Sequence, residues 1–169
     1  MHTWMDFAFS VLTFSLRSAL FTHGAIHGSG EVFLAAANRK TTAEFIARER
    51  LSAIIRTNDA EVARKAMRAA VDGGFRIVEF TLTTPGALTL VGEFVNNKNL
   101  VVGAGTVMTV DQVREAKAAG AHFVVSPICD PEVVAEAAAC GLISTIFRAT
   151  LRQTLATWRS TFRTPASRV

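Results

Sequence analysis

The sequence has no apolar run approaching the roughly 20 residues that a membrane-spanning helix needs. Arg17 and several Ser and Thr break the longest candidate, FAFSVLTFSLRSALF. Cysteine is scarce: Cys129 and Cys140 have neither the number nor the spacing of a disulfide framework or a metal site, and read as free thiols of a reducing compartment. His2, His23 and His27 are scattered and make no ligand set, while His122 begins a strand-like run and reads as packed or solvated. Lysine is limited to four positions, Lys40, Lys65, Lys98 and Lys117. These residues give no expectation of a metal site. What is present is a chain of 169 residues, half hydrophobic and 19% charged, enough for one domain with extensions.

The net charge of +4 is unevenly placed. Residues 1–40 carry three bases and two acids, residues 41–145 ten bases and twelve acids, and residues 146–169 five Arg and no acid. All of the basic excess therefore lies in the tail, and the slightly acidic centre argues against a nucleic-acid-binding core.

From residue 51 the chain alternates β-rich runs with helical stretches. The runs are LSAIIRT (51–57), RIVEFTL (76–82), LVVGAGT (100–106), HFVVSP (122–127) and a weaker LIST (142–145). Their spacing of roughly 20 to 24 residues is that of βα units with short helices. Thr84-Pro85 and Asp130-Pro131 each read as a cap followed by proline at the first helical position, and Thr109 with Gln112 as a capping box. Gly73-Gly74, Asn96-Asn97, Gly120 and Gly141 each follow a helical stretch, where a left-handed residue ends a helix. The expectation is an α/β fold of parallel strands joined by right-handed crossovers.

Alternation along RIVEFTL separates the apolar set Val78, Phe80 and Leu82 from the mixed set Ile77, Glu79 and Thr81. One apolar and one mixed face fits a barrel, whereas a doubly wound sheet makes both faces apolar. Glu79 then points inward, near a strand's C-terminal end, where barrel enzymes keep their chemistry. An inward acid alone serves equally as a structural partner for Arg56 or as a catalytic group. Arg56, Thr83 and Thr106 also fall at or just past strand C-terminal ends, so four polar side chains converge on one mouth. VVGAGTV lacks the third glycine of a dinucleotide fingerprint; its glycines are expected to admit a close approach by backbone or substrate.

The ordered set AIIRT (53–57), GG-x-x-x-x-E-x-T (73–81), TPGAL (84–88), VGAGTV (102–107) and AGA-x-F-x-x-SP (119–127) resembles the 2-dehydro-3-deoxy-phosphogluconate (KDPG) and 4-hydroxy-2-oxoglutarate (KHG) aldolases. The resemblance spans residues 41–145, the N-terminal half of that family. It implies a partial (β/α)8 TIM barrel of about four to five βα units, a homotrimer, and reversible aldol cleavage of a keto acid to pyruvate and an aldehyde without metal or cofactor. The implied chemistry is a Schiff base between a lysine and the substrate ketone, with a carboxylate shuttling protons. Glu79 matches the family's acid/base and Thr106 a residue lining the pyruvate site. Arg56 suits a carboxylate through its planar fork. At Thr83 many members have an Arg that grips the substrate.

The resemblance also implies a lysine on a sixth strand and phosphate loops beyond it, and this chain offers neither. None of its four lysines stands at a strand's C-terminal end. The Schiff-base lysine is thus expected to be absent, and the chain to be a truncated, inactive half-barrel. After Thr145 the composition breaks into an Arg-, Ser- and Thr-rich tail of the kind a frameshift or aberrant splice produces. Leu151, Leu155, Trp158 and Phe162 follow a helical spacing with arginines between them, which would suit a regulatory or membrane-surface binder. That apolar face is too short to compel membrane binding, and a partly helical or disordered tail is the simpler expectation. Residues 1–40 form an extension that reads as an organelle-targeting segment or as a mis-assigned start. Its first residues lack the positive charge of a secretory signal and include Asp6. The resulting expectation is a cytoplasmic protein, with organelle targeting left open.

Overall fold

In the computed structural model, residues 8–13 and 39–146 are described. Residues 1–7, 14–38 and 147–169, which hold most of the targeting-like segment and nearly all of the Arg-rich tail, lie outside them. Among the described residues, six strands and five helices alternate as β1 (Ala8–Thr13), α1 (Arg39–Glu49), β2 (Leu51–Arg56), α2 (Ala60–Asp72), β3 (Ile77–Thr81), α3 (Ala87–Phe94), β4 (Val101–Gly105), α4 (Val110–Ala118), β5 (Phe123–Ser126), α5 (Pro131–Ala139) and β6 (Ile143–Ile146). The sheet order follows the chain, β1-β2-β3-β4-β5-β6. Strands β2 to β6 are mutually parallel, as each βα crossover demands. This is one half of a TIM-type barrel wall.

The first strand was not expected. Residues 8–13, assigned by sequence to an extension, pair antiparallel with β2 from Ala8 opposite Arg56 to Thr13 opposite Leu51. The pairing supplies backbone partners along β2, which would otherwise be a sheet edge.

Alternation along the strands sorts side chains into two clusters. Ala53, Ile55, Val78, Phe80, Val102, Ala104 and Val124 face the helices and pack against Ala63, Met67, Leu90, Val91, Val113 and Val133. Phe80 and Phe94 meet edge-on at 5.0 Å between centroids. The opposite, inward set Ile77, Val101, Phe123 and Val125 packs with Phe45 and Ile46 of α1. Helix α1 therefore closes the N-terminal end of the inward face, with its apolar pair between β4 and β6. On the outside, Glu93 of α3 joins Arg64 (2.7 Å) and Arg68 (2.6 Å) of α2, and Glu136 of α5 joins Arg114 of α4 (2.8 Å). Such exposed pairs add little stability, but they fix how neighbouring helices lie.

Most of the helix punctuation is realised. Asp130 accepts from Glu132 N and Val133 N ahead of Pro131, and Thr109 with Gln112 forms both halves of a capping box. Gly120 and Gly141 take φ of +91° and +73° at helix ends. Two readings are corrected. Thr84 does not cap α3, whose N-cap is Gly86 at φ +70°; the Thr84 hydroxyl instead turns inward to accept from Thr57 N at 3.3 Å. Asn96 and Asn97 are not left-handed. Asn96 Nδ2 donates instead to the carbonyls of Gly92 and Glu93 (3.0 and 3.3 Å), so its side chain covers the last turn of α3.

Candidate active site

The strand periodicity that buries Ile77 against α1 carries Glu79 onto the same inward face two residues nearer the mouth. Glu79 lies between Ile54 of β2 and Gly103 of β4 in register. It is 3% exposed. Its Oε2 is buried and has no hydrogen-bond partner in the structure. Burial pushes its carboxyl up to about 7, against the opposing attraction of the Arg56 guanidinium. A carboxyl near neutrality is poised both to give and to take a proton.

Arg56 ends β2 and is exposed at the mouth. Its Nη2 donates to Thr106 Oγ1 at 3.2 Å, across the fifty residues that separate them in sequence. Thr106 follows directly on β4 and takes φ of +61°, a conformation a β-branched residue rarely adopts. Beside this pair lies a knot of threonines. Thr81 Oγ1, the buried hub, donates to Ile55 O at 3.3 Å and shares hydrogen bonds with Thr83 Oγ1 (3.0 Å) and Thr84 Oγ1 (3.4 Å). The knot ties the loop after β3 to the end of β2, with Thr57 on the other side.

The structure thus places Glu79, Arg56 and Thr106 at one mouth. Thr83 sits at its rim, exposed and bonded to Thr81 rather than held against the guanidinium. Sequence reasoning placed Thr81 inward without giving it a part, and did not single out Gly105. A β-carbon on Gly105 would fall 1.9 Å from Glu79 Oε1, and one on Gly103 would fall 2.3 Å from the Phe123 ring. The doublet of glycines on alternate residues of a strand was the available signal. The close approach it permits is made by neighbouring side chains of the chain itself.

Lys40, Lys65, Lys98 and Lys117 lie on α1, on α2, in the turn after α3 and on α4, at exposed positions, none at the C-terminal end of a strand. Among the described residues no cluster of His, Cys, Asp and Glu can hold a metal ion, and no helix is long and apolar enough to cross a membrane.

Comparison with known proteins bears on the family and the fold. The family model for KDPG and KHG aldolases matches residues 43–148. A 2-dehydro-3-deoxy-phosphogluconate aldolase of Treponema pallidum is 38% identical over 96 residues, which cover 56% of this chain and 46% of that protein. The crystal structure of the 2-keto-3-deoxy-6-phospho-gluconate aldolase of Zymomonas mobilis aligns with TM-score 0.57 at 28% identity, over 64% of this chain and 52% of the other. The KDPG aldolase of Legionella pneumophila, whose structure holds pyruvate as a covalent carbinolamine intermediate, aligns with TM-score 0.54 at 28% identity, over 62% and 50%. The chain spans about half the length of the relatives it matches. With its parallel strands, their alternating helices and an inward acid at the strand ends, the chain belongs to the KDPG and KHG aldolase family.

Proposed function

We propose that this chain carries the proton-transfer and carboxylate-binding half of a 2-oxo-acid aldolase site. The observation that carries the reading is Glu79, buried with one unpartnered oxygen and held near neutrality within the influence of Arg56. In this reading the Arg56 guanidinium holds the substrate carboxylate by paired N–H donors, and the Thr106 hydroxyl fixes that guanidinium. Glu79 moves the protons. When an amine condenses with the C2 ketone, the oxygen must leave as water, and Glu79 supplies a proton to it. When the C3–C4 bond breaks, its electron pair passes into the iminium to give an enamine, and the C4 hydroxyl proton passes to the Glu79 carboxylate. Protonation of the enamine at C3 and hydrolysis then release pyruvate, with an aldehyde as the other product. A raised carboxyl suits both directions of transfer near neutral pH.

The condensing amine is not brought to this mouth by these 169 residues, since the four lysines lie on helices and a turn. The chain is therefore a binding-competent half-site that forms no Schiff base by itself. Two measurements test this. Saturation-transfer NMR with pyruvate is expected to show binding to the wild type, loss of the signal in Arg56→Ala, and retention in Lys65→Ala; no signal from the folded wild type overturns the site. Borohydride reduction in the presence of pyruvate is expected to leave the protein mass unchanged. A stable adduct on any of the four lysines overturns the absence of a nucleophile.

A further inference from the structure

The inward face of β4 is built from glycines. Gly103 lies opposite Glu79 of β3 and Phe123 of β5, and Gly105 lies opposite Thr81 and Val125. Both vacated positions are filled from the side. The Phe123 ring occupies the space over Gly103, with three of its atoms 2.3 to 2.5 Å from where a β-carbon would be. The Glu79 side chain leans along its strand and lays its carboxyl over Gly105: Oε1, Cδ and Cγ come to 1.9, 2.8 and 3.2 Å of the β-carbon position there. No real β-carbon coexists with such distances, and Gly105 is not at positive φ. Backbone conformation therefore does not explain the glycine. Space for the acid does.

We propose that Gly105 is the positioning residue for Glu79, the bare backbone of β4 forming the berth that keeps its carboxyl buried against the sheet rather than turned out toward solvent. The inference rests on the reading of Glu79 as the proton-transfer group for its consequence, but its geometry stands without it. Among the described residues the charged group acting on the Glu79 carboxyl is Arg56 from β2, while the inward positions of β4 are Val101, Gly103 and Gly105, followed by Thr106, none of them charged. A methyl on Gly105 evicts the carboxyl toward the guanidinium and solvent. Burial, the first cause of its raised pKa, is then lifted, and the remaining influence of Arg56 acts in the lowering direction.

The test is a carboxyl ¹³C NMR titration of glutamate-labelled full-length protein, which reads the position of Glu79 independently of any substrate. The wild-type midpoint is expected near 7, and that of Gly105→Ala is expected to move down toward the ordinary 4.5. Gly103→Ala crowds Phe123 instead, so it is expected to cost stability and leave the Glu79 midpoint in place. A folded Gly105→Ala protein that titrates like the wild type overturns the proposal. If Gly105→Ala does not fold, adding Glu79→Asp, which shortens the acid by one methylene, is expected to restore folding. A double variant that folds no better than the single one overturns it equally. A wild-type protein that binds no pyruvate but titrates near 7, with the midpoint lowered in Gly105→Ala, would count against the proposed function and leave the berth standing.

Discussion

The two ends of one inward face use the same strands for opposite purposes. At the N-terminal end, Ile77, Val101 and Phe123 are wholly buried beneath Phe45 and Ile46 of α1. Two residues further along β3, a rise of about 6.6 Å, stands Glu79, also buried but with an unpartnered oxygen. Burial stabilises the first set through apolar area removed from water, and it works against the second by stripping a carboxyl of its hydration. The floor thus stabilises the sheet, while the mouth spends part of that stability to keep a carboxyl buried and near neutrality.

The comparison breaks first if the floor cannot be damaged alone. Phe123→Ala leaves empty space over Gly103 and under α1, and is expected to cost ~3–5 kcal/mol in urea denaturation, as large-to-small core substitutions do. The Glu79 midpoint should stay near 7 wherever the variant remains folded. A midpoint that falls with Phe123 would mean that the two ends are one unit.

The mouth is tested by pH. With Glu79 raised to about 7 in the folded chain and 4.5 as its ordinary value, the group is protonated in both states below 4.5. Between the two values it ionises only when unfolded. Its contribution to stability is therefore full at low pH and is lost as pH rises through 7, a difference of about 3 kcal/mol by pH 8. Glu79→Gln removes this dependence. The variant is expected to be more stable than the wild type at pH 8 by that amount and to lose the advantage by pH 4.5, read from thermal or urea melts across the range. Parallel pH profiles for the two proteins would show that the carboxyl is not desolvated.

What the sequence displayed of this division depended on whether a signal was local. Alternation in RIVEFTL separates Glu79 from Phe80 without any knowledge of the third dimension, and the structure places both as that period requires. Asp130 and Thr109 cap their helices because their partners are two or three residues away. Thr84 carries the same capping signal, but its hydroxyl is engaged by Thr57 N and Thr81, which only the loop crossing at the mouth brings near. The strand at residues 8–13 lies far in sequence from its partner β2, and nothing between them announces the pairing. The berth at Gly105 was half legible: the glycine doublet signals a close approach, but its occupant comes from the adjacent strand, through a register the sequence does not state.

The smallest effect separates strain from tethering at Thr106. Its φ of +61° costs a non-glycine residue ~1 kcal/mol or more, while its hydroxyl accepts a hydrogen bond from exposed Arg56 worth ~0.5–1.5 kcal/mol, nearer the low end because water competes. The two nearly offset. Thr106→Gly relieves the strain and loses the bond, so its stability is expected within ~0.5 kcal/mol of the wild type. Thr106→Ala keeps the strain and loses the bond, and should be less stable than the glycine variant by ~1 kcal/mol. In both, relaxation of the Arg56 side chain, followed by ¹⁵N NMR at Nε, should report a looser guanidinium. If the alanine and glycine variants are equally stable, the backbone at position 106 stores no strain; if Arg56 is as rigid in both as in the wild type, the threonine is not what holds it at the mouth.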